Sequence, residues 1–412
     1  MTTTSSAGSE STAAVTLDDV RAAARLLDGV ATRTPVDESR ALSAIARTRV
    51  VLKCENLQRA GSFKIRGAYV RMARLSTEEK ARGVVAASAG NHAQGVALAA
   101  QLLGIDAVVY MPTDAALPKV AATREYGAEV RPEGGSVDEA LEAAHAEAER
   151  TGAVLIHPFD HPDVVAGQGT LGLEILEQVP DVRTIVVPVG GGGLAAGIAT
   201  AVRAVRSDVR VVGVQAASAA AYPASITAGR PVRATRLATM ADGIAVGTPG
   251  QVPFALLRDA GVEVRTVSEE DLSRALLLVA ERAKLLVEPS GAASVAALMA
   301  SPGELEGPVV AVLSGGNIDP LVLLRVVRHG LASAGRYLSL RLVIGDRPGS
   351  LAALLGQLAR SGGNVMHVSH VRTGVDLAID EVEIDVQLET KGPQHCQQVL
   401  DDLRTAGYRI AP

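Results

Sequence analysis

The sequence is poor in aromatic residues and cysteine, and these scarcities exclude several classes of protein. It has no Trp, and aromatic residues make up 2% of the chain. Proteins that bind single-stranded nucleic acid rely on aromatic side chains for base stacking. Because such residues are scarce, the net charge is −5 and the sequence has no basic tract, no nucleic-acid partner is expected. The two cysteines, Cys54 and Cys396, match neither a metal-ligand nor a disulfide spacing. A reducing, cytoplasmic location is therefore expected.

Long apolar runs are also missing. No uncharged apolar stretch reaches the ~18 residues that a membrane span requires, so no membrane partner is expected. Residues 1–15 are rich in Thr, Ser, Ala and Gly, without the basic start or apolar run of a signal peptide. This composition predicts a disordered tail. With 48% hydrophobic residues in 412, the rest of the chain suffices for two or three domains with buried sheets.

Short runs of Val, Ile and Ala alternate with helical stretches, after a capped helix that begins near Thr16. This alternation predicts an α/β protein with mainly parallel sheets covered on both faces. The predicted strands cover residues 50–53, 84–87, 107–111, 154–157, 185–189, 211–215 and 309–313. Helices are predicted between them, including residues 136–150 and 272–286.

Lysine is the third scarcity, with six among 40 basic residues, at positions 53, 64, 80, 119, 284 and 391. Lys64 lies between Phe63 and Ile65, just after a Gly-Ser turn. An apolar setting lowers the pKa of an amine and lets it attack carbonyls, whereas Arg stays protonated and cannot form a Schiff base. Taken alone, Lys64 is better explained as an ordinary lysine at a helix start with its ammonium group in water, and the next motifs change that interpretation.

A glycine loop follows the predicted strand at residues 185–189. Its members are Gly190, Gly191, Gly192, Gly193 and Leu194. Because no side chain blocks the backbone N–H groups and a helix begins next, the arrangement favours a phosphate, although a plain tight turn is the alternative. The loop has neither a Walker A sequence nor a dinucleotide-binding glycine register.

Two further segments follow predicted strands. The first, which we call the anion loop, consists of Ser88, Ala89, Gly90, Asn91 and His92, at the start of a helix that runs to about residue 103. It is suited to a carboxylate. The second begins at Ser314 and places a hydroxyl group at another strand end, where open α/β sheets bind ligands.

Taken in order, four motifs resemble those of the threonine dehydratases (threonine ammonia-lyases). These are fold-type II enzymes of pyridoxal phosphate (PLP), similar to the tryptophan synthase β chain and grouped with serine dehydratase and serine racemase. The motifs are Ser62-Phe63-Lys64-Ile65-Arg66-Gly67-Ala68, Ser88-Ala89-Gly90-Asn91-His92-Ala93-Gln94-Gly95, Gly190-Gly191-Gly192-Gly193-Leu194 and Ser314-Gly315-Gly316-Asn317. The resemblance covers roughly residues 16–330 and implies a catalytic domain with a nested smaller subdomain at about 80–160 and PLP in the cleft.

The resemblance also implies roles for these residues. Lys64 would hold PLP as a Schiff base and remove the substrate's α-proton. The glycine loop would bind the phosphate, and Ser314 would face the ring nitrogen. Asn91 would bond the ring hydroxyl, and Phe63 would lie beside the ring or serve as an ordinary core residue. The anion loop would receive the substrate carboxylate, with His92 more simply explained as a capping or packing residue than as a catalytic one.

Two departures from serine racemase limit the expected chemistry. Racemases of this group carry a second Ser where this chain has Ala89, so weak racemisation is expected. Metal-binding members carry carboxylates after the strand that ends in Gly-Val, whereas here Gln215 and an alanine-rich run follow. No metal is therefore expected there. The nearest acidic residues that could replace the missing carboxylates are Asp242 and Glu288. The alternative is that either of them only holds a loop in place.

The composition changes after residue 330, where residues 331–336 are predicted to form a linker. Residues 337–412 then follow a β-α-β-β-α-β order in ~75 residues, which is typical of a ferredoxin-like unit. The predicted strands are residues 337–344, 364–372, 381–388 and a short one from Tyr408, with helices at 351–361 and 394–406. The turn Asp346-Arg347-Pro348-Gly349-Ser350-Leu351 resembles that of the ACT domain, a regulatory amino-acid-binding module. A domain used for assembly alone is the alternative.

The expected activity is dehydration and deamination of L-threonine to 2-oxobutanoate and ammonia, and of L-serine to pyruvate. Another β-hydroxy amino acid, such as 3-hydroxyaspartate or phenylserine, is the alternative substrate. A non-catalytic amino-acid sensor is the alternative function. Isoleucine or valine is the expected effector, and a homodimer or homotetramer the expected assembly.

Overall fold

The computed structural model describes residues 15–372 and 377–411, so the predicted tail lies outside the described residues except for its last position. The chain divides into two compact units between Val322 and Leu323. Within the described ranges, no helix combines the length and apolar character needed to cross a membrane.

Two sheets form the first unit. Its strands are β1 (Val36–Glu38), β2 (Val50–Lys53), β3 (Val84–Ala87), β4 (Ala107–Met111), β5 (Glu129–Pro132), β6 (Val154–Leu155), β7 (Thr184–Pro188), β8 (Arg210–Ala216), β9 (Glu263–Val267) and β10 (Val309–Val312). The larger sheet has the order β1-β2-β10-β7-β8-β9, and β1 alone among these strands pairs antiparallel with its neighbour. The smaller sheet, β5-β4-β3-β6, is parallel throughout and is inserted in sequence between β2 and β7.

The three strands that the sequence pattern did not predict, β1, β5 and β9, all lie at sheet edges. Each carries charged residues, whereas the central strands β2, β3, β7 and β10 are buried along their whole length. A continuous apolar run marks a strand buried on both faces, and an edge strand lacks that signal. The predicted strands 50–53, 84–87 and 107–111 have the observed bounds, and the other four differ from the observed strands by one or two residues at an end.

Thirteen α-helices accompany these strands in the described part of the first unit. They are α1 (Leu17–Leu26), α2 (Arg40–Ala46), α3 (Lys64–Ala73), α4 (Thr77–Ala81), α5 (Asn91–Leu103), α6 (Leu117–Glu125), α7 (Val137–Thr151), α8 (Pro162–Gln178), α9 (Gly193–Val205), α10 (Tyr222–Ala228), α11 (Gln251–Asp259), α12 (Glu269–Leu278) and α13 (Pro289–Ala300). The expected cap of α1 is present, because the Thr16 hydroxyl accepts from Asp19 N–H while the Asp19 carboxylate accepts from Thr16 N–H. The main core joins the larger sheet to α1, α8, α9 and α11.

The helix predicted over residues 272–286 is shorter than expected. Helix α12 ends at Leu278, a single π-helical turn covers Val279–Ala283, and Lys284 is left-handed with φ of 61°. These features stop the helix, and the chain returns so that Glu288 N–H donates to Gly315 O at 3.1 Å. The interruption brings Glu288 next to the strand-end segment that begins at Ser314.

The second unit has strands β11 (Tyr337–Gly345), β12 (Asn364–Val371), β13 (Glu381–Glu389) and β14 (Arg409–Ala411), with helices α15 (Ser350–Arg360) and α16 (Pro393–Thr405). Helix α14 (Pro320–Ser333) begins three residues before the division and continues into this unit. Its antiparallel sheet has the order β12-β13-β11-β14. From β11 onward the elements follow the predicted β-α-β-β-α-β order around a core of their own. Helix α14 continues through Ser333, so the first three positions of the predicted linker are helical.

A buried ionic cluster holds helix α3 in the first unit. Arg66 pairs with Glu55 through Nε and Oε2 at 2.8 Å, and with Glu174 through Nη1 and Oε1 at 2.6 Å. Lys53 contacts the second carboxylate oxygen of Glu174 at 2.7 Å. Arg66, Glu55 and Lys53 are at most 1% exposed. Two cations therefore face two anions, three of the four groups being fully buried and Glu174 being 18% exposed, so removal of one member would leave a buried charge without its partner.

Substitution of Glu55 by Gln tests the contribution of this cluster to stability. It leaves Arg66 and Lys53 sharing one carboxylate, and an uncompensated buried charge costs on the order of 3–5 kcal/mol in free energy of unfolding. We expect a correspondingly lower urea midpoint, measured by circular dichroism. The matched control is Glu38→Gln, which removes the exposed pair of Glu38 with Arg49 and should have a far smaller effect. Equal losses in the two variants would contradict this account.

Candidate active site

The strand ends of the first unit surround a cavity of about 570 Å³. It lies where β3, β7 and β10 end, as expected for ligand sites in parallel sheets. All of the site residues predicted from sequence line it, namely Phe63, Lys64, Ser88, Ala89, Gly90, Asn91, His92, Gly190, Gly191, Gly192, Gly193, Leu194 and Ser314. Residues from four distant parts of the chain therefore meet in one cavity.

Lys64 is the first residue of α3, and its amine points into the cavity wall. Nζ donates to Pro158 O at 3.0 Å and lies 5.2 Å from the centre of the Phe63 ring. Burial lowers the pKa of Lys64 to about 8, with the carboxyl group of Glu288 acting in the opposite direction. A substantial fraction of the amine is therefore neutral near pH 8, which is the form that attacks carbonyls and accepts protons.

Backbone pairing joins the lysine segment to the serine at the end of β10. Phe63 N–H donates to Ser314 O at 3.2 Å, and Gly316 N–H donates to Gly61 O at 2.9 Å. Ser62 and Gly315 form an isolated antiparallel bridge between these two bonds. The positions of Lys64 and Ser314 in the cavity are therefore fixed by the same short ladder.

The last glycine of the second motif, Gly95, allows α5 to pack against the start of α3. A β-carbon placed on Gly95 would lie 3.0 Å from Lys64 Cβ and 3.1 Å from its carbonyl carbon. A larger residue would push the lysine out of place. The sequence pattern indicated the anion-binding end of α5 but not this role of its first turns.

The glycine loop forms a cradle that any side chain would fill. Gly192 has φ of +103°, and a β-carbon on Gly191 would lie 2.4 Å from the ring of Phe159. The carbonyl of Gly191 accepts from the Tyr222 hydroxyl at 3.2 Å and from Gly250 N–H at 3.1 Å. These bonds hold the loop from behind while it lines the cavity.

The amide groups of this loop are free to bind an anion. Among the described residues, the N–H groups of positions 190–194 donate to no protein acceptor. They stand at the N-terminus of α9, a helix of 13 residues whose dipole adds positive potential. The residues present fit the phosphate of PLP, and Lys64 in the same cavity fits its aldehyde.

The anion loop is ordered by its own side chains. Gly90 N–H donates to Ser88 Oγ at 3.1 Å, and α5 begins at Asn91. His92 is buried with Nε2 2.8 Å from Ile156 O, and burial, together with the charge of Lys64, lowers its pKa to about 3. His92 is thus neutral and used in packing, consistent with the interpretation preferred from sequence.

Asn91 is held on both sides. Its Nδ2 donates to Glu288 Oε1 at 2.7 Å, and its Oδ1 accepts from Asn317 Nδ2 at 2.8 Å. This leaves one N–H of the amide for a ligand in the cavity. The predicted bond from Asn91 to a ring hydroxyl remains a prediction.

Glu288 is a site residue whose importance sequence reasoning underestimated. Its carboxyl group is 4% exposed, and burial, reinforced by the charge of Asp242, raises its pKa to about 7. The signal available in the sequence was a lone acid between Val287 and a proline-started helix. Its contact with Asn91 depends on the interruption after α12, which no local pattern predicts.

Other cavity residues were missed altogether, including Phe159 and His157. Their rings meet edge to face at 4.7 Å, and burial lowers the pKa of His157 to about 4. The chain has three Phe residues, and two of them, Phe63 and Phe159, line the cavity. Because Phe is so rare in this sequence, its rarity was the signal that could have marked Phe159 as a candidate site residue.

The region predicted to lack a metal contains Gln215, whose Oε1 accepts from Tyr222 N–H at 2.9 Å. Across residues 15–372 and 377–411, no group of three or more His, Cys, Asp or Glu side chains is placed to hold a metal ion. The expectation of a metal-free site remains a prediction.

Comparison with known proteins gives the family. The family model described as pyridoxal-phosphate dependent enzyme matches residues 27–315. The chain is 46% identical over 397 residues to L-threonine ammonia-lyase of Thermotoga maritima, covering 96% of this chain and 99% of that protein.

Solved structures agree. The processed form of threonine deaminase isoform 2 from Solanum lycopersicum is 37% identical with a TM-score of 0.72, covering 76% of this chain and 92% of that one. Maize serine racemase is 35% identical with a TM-score of 0.72, covering 77% of this chain and 98% of that one. This chain therefore belongs to the pyridoxal-phosphate dependent enzymes of fold type II, and pyridoxal phosphate is its cofactor.

Proposed function

We propose that the protein is a threonine ammonia-lyase, which converts L-threonine to 2-oxobutanoate and ammonia and also acts on L-serine to give pyruvate. The observation that carries the proposal is the meeting of Lys64, with a lowered pKa, the glycine loop and the anion loop in one cavity. The relative from Thermotoga maritima, aligned over nearly the whole chain, bears the same activity in its name. Release of 2-oxobutanoate from L-threonine, with L-serine and 3-hydroxyaspartate tested in parallel, is the direct experiment.

The chain's own residues account for the steps. Bound PLP supplies a carbonyl group for amines and an electron sink for the pair left at the substrate's α-carbon. Lys64 Nζ takes the α-proton in its neutral form. The N-terminus of α5 and the anion loop hold the carboxylate of the substrate, which fixes the α-carbon against the lysine.

Ser314 biases the outcome towards elimination. It lies 3% exposed at the end of β10, where its hydroxyl would face the ring nitrogen. A hydroxyl cannot hold that nitrogen protonated as a carboxylate would, so negative charge at the α-carbon is less stabilised. Prompt loss of the β-hydroxyl is then favoured over reprotonation at the α-carbon.

We further propose that the second unit is an ACT domain that binds isoleucine or valine. Its support is the ferredoxin-like order of β11 to β14 and the turn into α15, where Gly349 has φ of +91°. Exposed N–H groups at the start of that helix suit the carboxylate of an amino acid. We also propose a cytoplasmic location, with which the two free cysteines are consistent. A homodimer or homotetramer is the proposed assembly.

Substitution of Lys64 by Ala should abolish both turnover and the covalent attachment of PLP while leaving the fold intact. Borohydride reduction followed by peptide mapping locates the attachment. The matched control is Lys119→Ala, which removes the other lysine of the cavity and should keep the reducible adduct. An adduct that persisted in Lys64→Ala would assign the cofactor to a different lysine.

Substitution of Ala89 by Ser should raise racemisation relative to dehydration. It places a proton donor in the anion loop, and general acid catalysis contributes on the order of a hundredfold or more where geometry permits. Chiral analysis of the serine recovered from the reaction measures the change. If D-serine did not increase, the missing hydroxyl would not be what limits racemisation in the natural chain.

Removal of residues 331–412 should leave a catalytic unit that still binds PLP, because every cofactor motif precedes residue 318. It should also remove any response to branched-chain amino acids, since an effector must favour one state of the protein to change activity. Threonine titrations of the full-length and truncated proteins, with and without isoleucine or valine, provide the measurement. Identical curves in the full-length protein would leave the second unit with a role in assembly only.

A further inference from the structure

Lys119 is the second lysine of the cavity, and the proposed mechanism leaves it without a role. It lies in the first turn of α6, which follows β4 of the smaller sheet. The chain has six lysines among 40 basic residues, so an ordinary solvated cation is usually Arg here. Two of the six lysines, Lys64 and Lys119, line the cavity.

The ammonium group of Lys119 lies beside the anion loop. A β-carbon placed on Gly90 would be 3.8 Å from Lys119 Nζ. The Lys119 side chain is 15% exposed, so water does little to neutralise its charge. A carboxylate bound by the backbone of the anion loop would therefore meet a cation at its open side.

In this structure the partner of Lys119 is Asp242, with Nζ and Oδ2 at 2.7 Å. The Asp242 side chain is 62% exposed. Asp242 begins a short 3-10 helical turn, Asp242–Ile244, between β8 and β9 of the larger sheet. Because Asp242 is well hydrated, it can yield part of this contact to an arriving anion at little cost. The ion pair with Asp242 therefore holds Lys119 near the anion loop and still lets its ammonium group bind a second anion.

We propose that Lys119 is a further substrate-binding residue, which contacts the α-carboxylate of the amino acid held by the anion loop. Asp242 keeps the ammonium group in position before the substrate arrives. This inference rests on the proposed function, since it takes an α-amino acid as the ligand of the cavity. Under this proposal, Lys119 makes the enzyme bind amino acids more tightly than amines that lack a carboxylate.

The cavity offers a matched control in Arg233. Its guanidinium group pairs with the carboxylate of Asp138, in α7, at 3.2 Å. Like the pair of Lys119 with Asp242, this pair joins a helix beside the smaller sheet to the segment of residues 230–248 that lines the cavity. The side chains of Arg233 and Asp138 are both more than 70% exposed. Arg233→Met thus removes one positive charge and one such link at the same cavity, but not beside Gly90.

The test is a comparison of two ligands in the PLP-loaded enzyme. L-alanine has no β-hydroxyl to lose, and L-alaninol replaces its carboxylate by a CH₂OH group. Both are titrated by the change in cofactor absorbance for the natural chain, Lys119→Met and Arg233→Met. A charge-assisted hydrogen bond predicts that Lys119→Met weakens L-alanine about tenfold to a hundredfold. Binding of L-alaninol should change far less, by about twofold, because its hydroxyl group carries no negative charge for the ammonium group of Lys119 to pair with.

Several results would overturn the inference. Equal weakening of both ligands in Lys119→Met would mean that the residue only ties the two parts of the unit together. If L-alanine binding weakened equally in Lys119→Met and Arg233→Met, the cause would be the loss of a positive charge from the cavity and not a specific contact. If L-alanine binding did not change in Lys119→Met, Lys119 would not contact the carboxylate. Release of 2-oxobutanoate by the natural chain is scored separately, so its absence would contradict the proposed activity while the alanine comparison still decides the role of Lys119.

Discussion

The buried cluster of Arg66, Glu55, Glu174 and Lys53 fixes the element on which the active site depends. Its members come from β2, the turn after it, α3 and α8, so four segments are joined through largely buried side chains. Arg66 stands two residues after Lys64 on the same helix. Because the desolvation of these charges is compensated by their mutual contacts and by hydrogen bonds to neighbouring polar groups, the helix has little freedom to slide or rotate. The amine at its start is thereby aimed at a fixed point in the cavity.

Charge is distributed unequally between the interior and the edge of the cavity. Burial depresses the pKa of Lys64 and raises that of Glu288, so both groups are near the point of losing their charge at neutral pH. The ion pair of Arg233 with Asp138 lies farther out, with both side chains exposed to water. Under the proposed function, the carboxylate of a bound substrate would meet the oriented N–H groups of the anion loop, which is the arrangement that preorganised sites use.

The sequence predicted the fold and the site where local pattern carries the information. Central strands are continuous apolar runs, and the loops at their ends contain glycine or a hydroxyl residue, so β3, β7 and β10 and the cavity-lining loops that follow them could be predicted. Edge strands such as β9 carry charge and escaped that pattern. Glu288 was underestimated for a different reason, because its function depends on a π-helical turn and on a contact with Asn91, nearly 200 positions earlier. Pairings of that range are decided by packing of the whole unit, and no window of sequence contains them.

The insertion of the smaller sheet has a consequence for how the protein is made. Strand β2 pairs with β10, whose residues begin at Val309, and the ladder that fixes Lys64 uses Ser314 to Gly316. During synthesis the lysine leaves the ribosome long before these partners exist. The smaller sheet, by contrast, is complete once residue 155 has emerged. A nascent chain can therefore build its insert first, but it cannot hold the lysine in its final place until the last strand of the larger sheet has been translated.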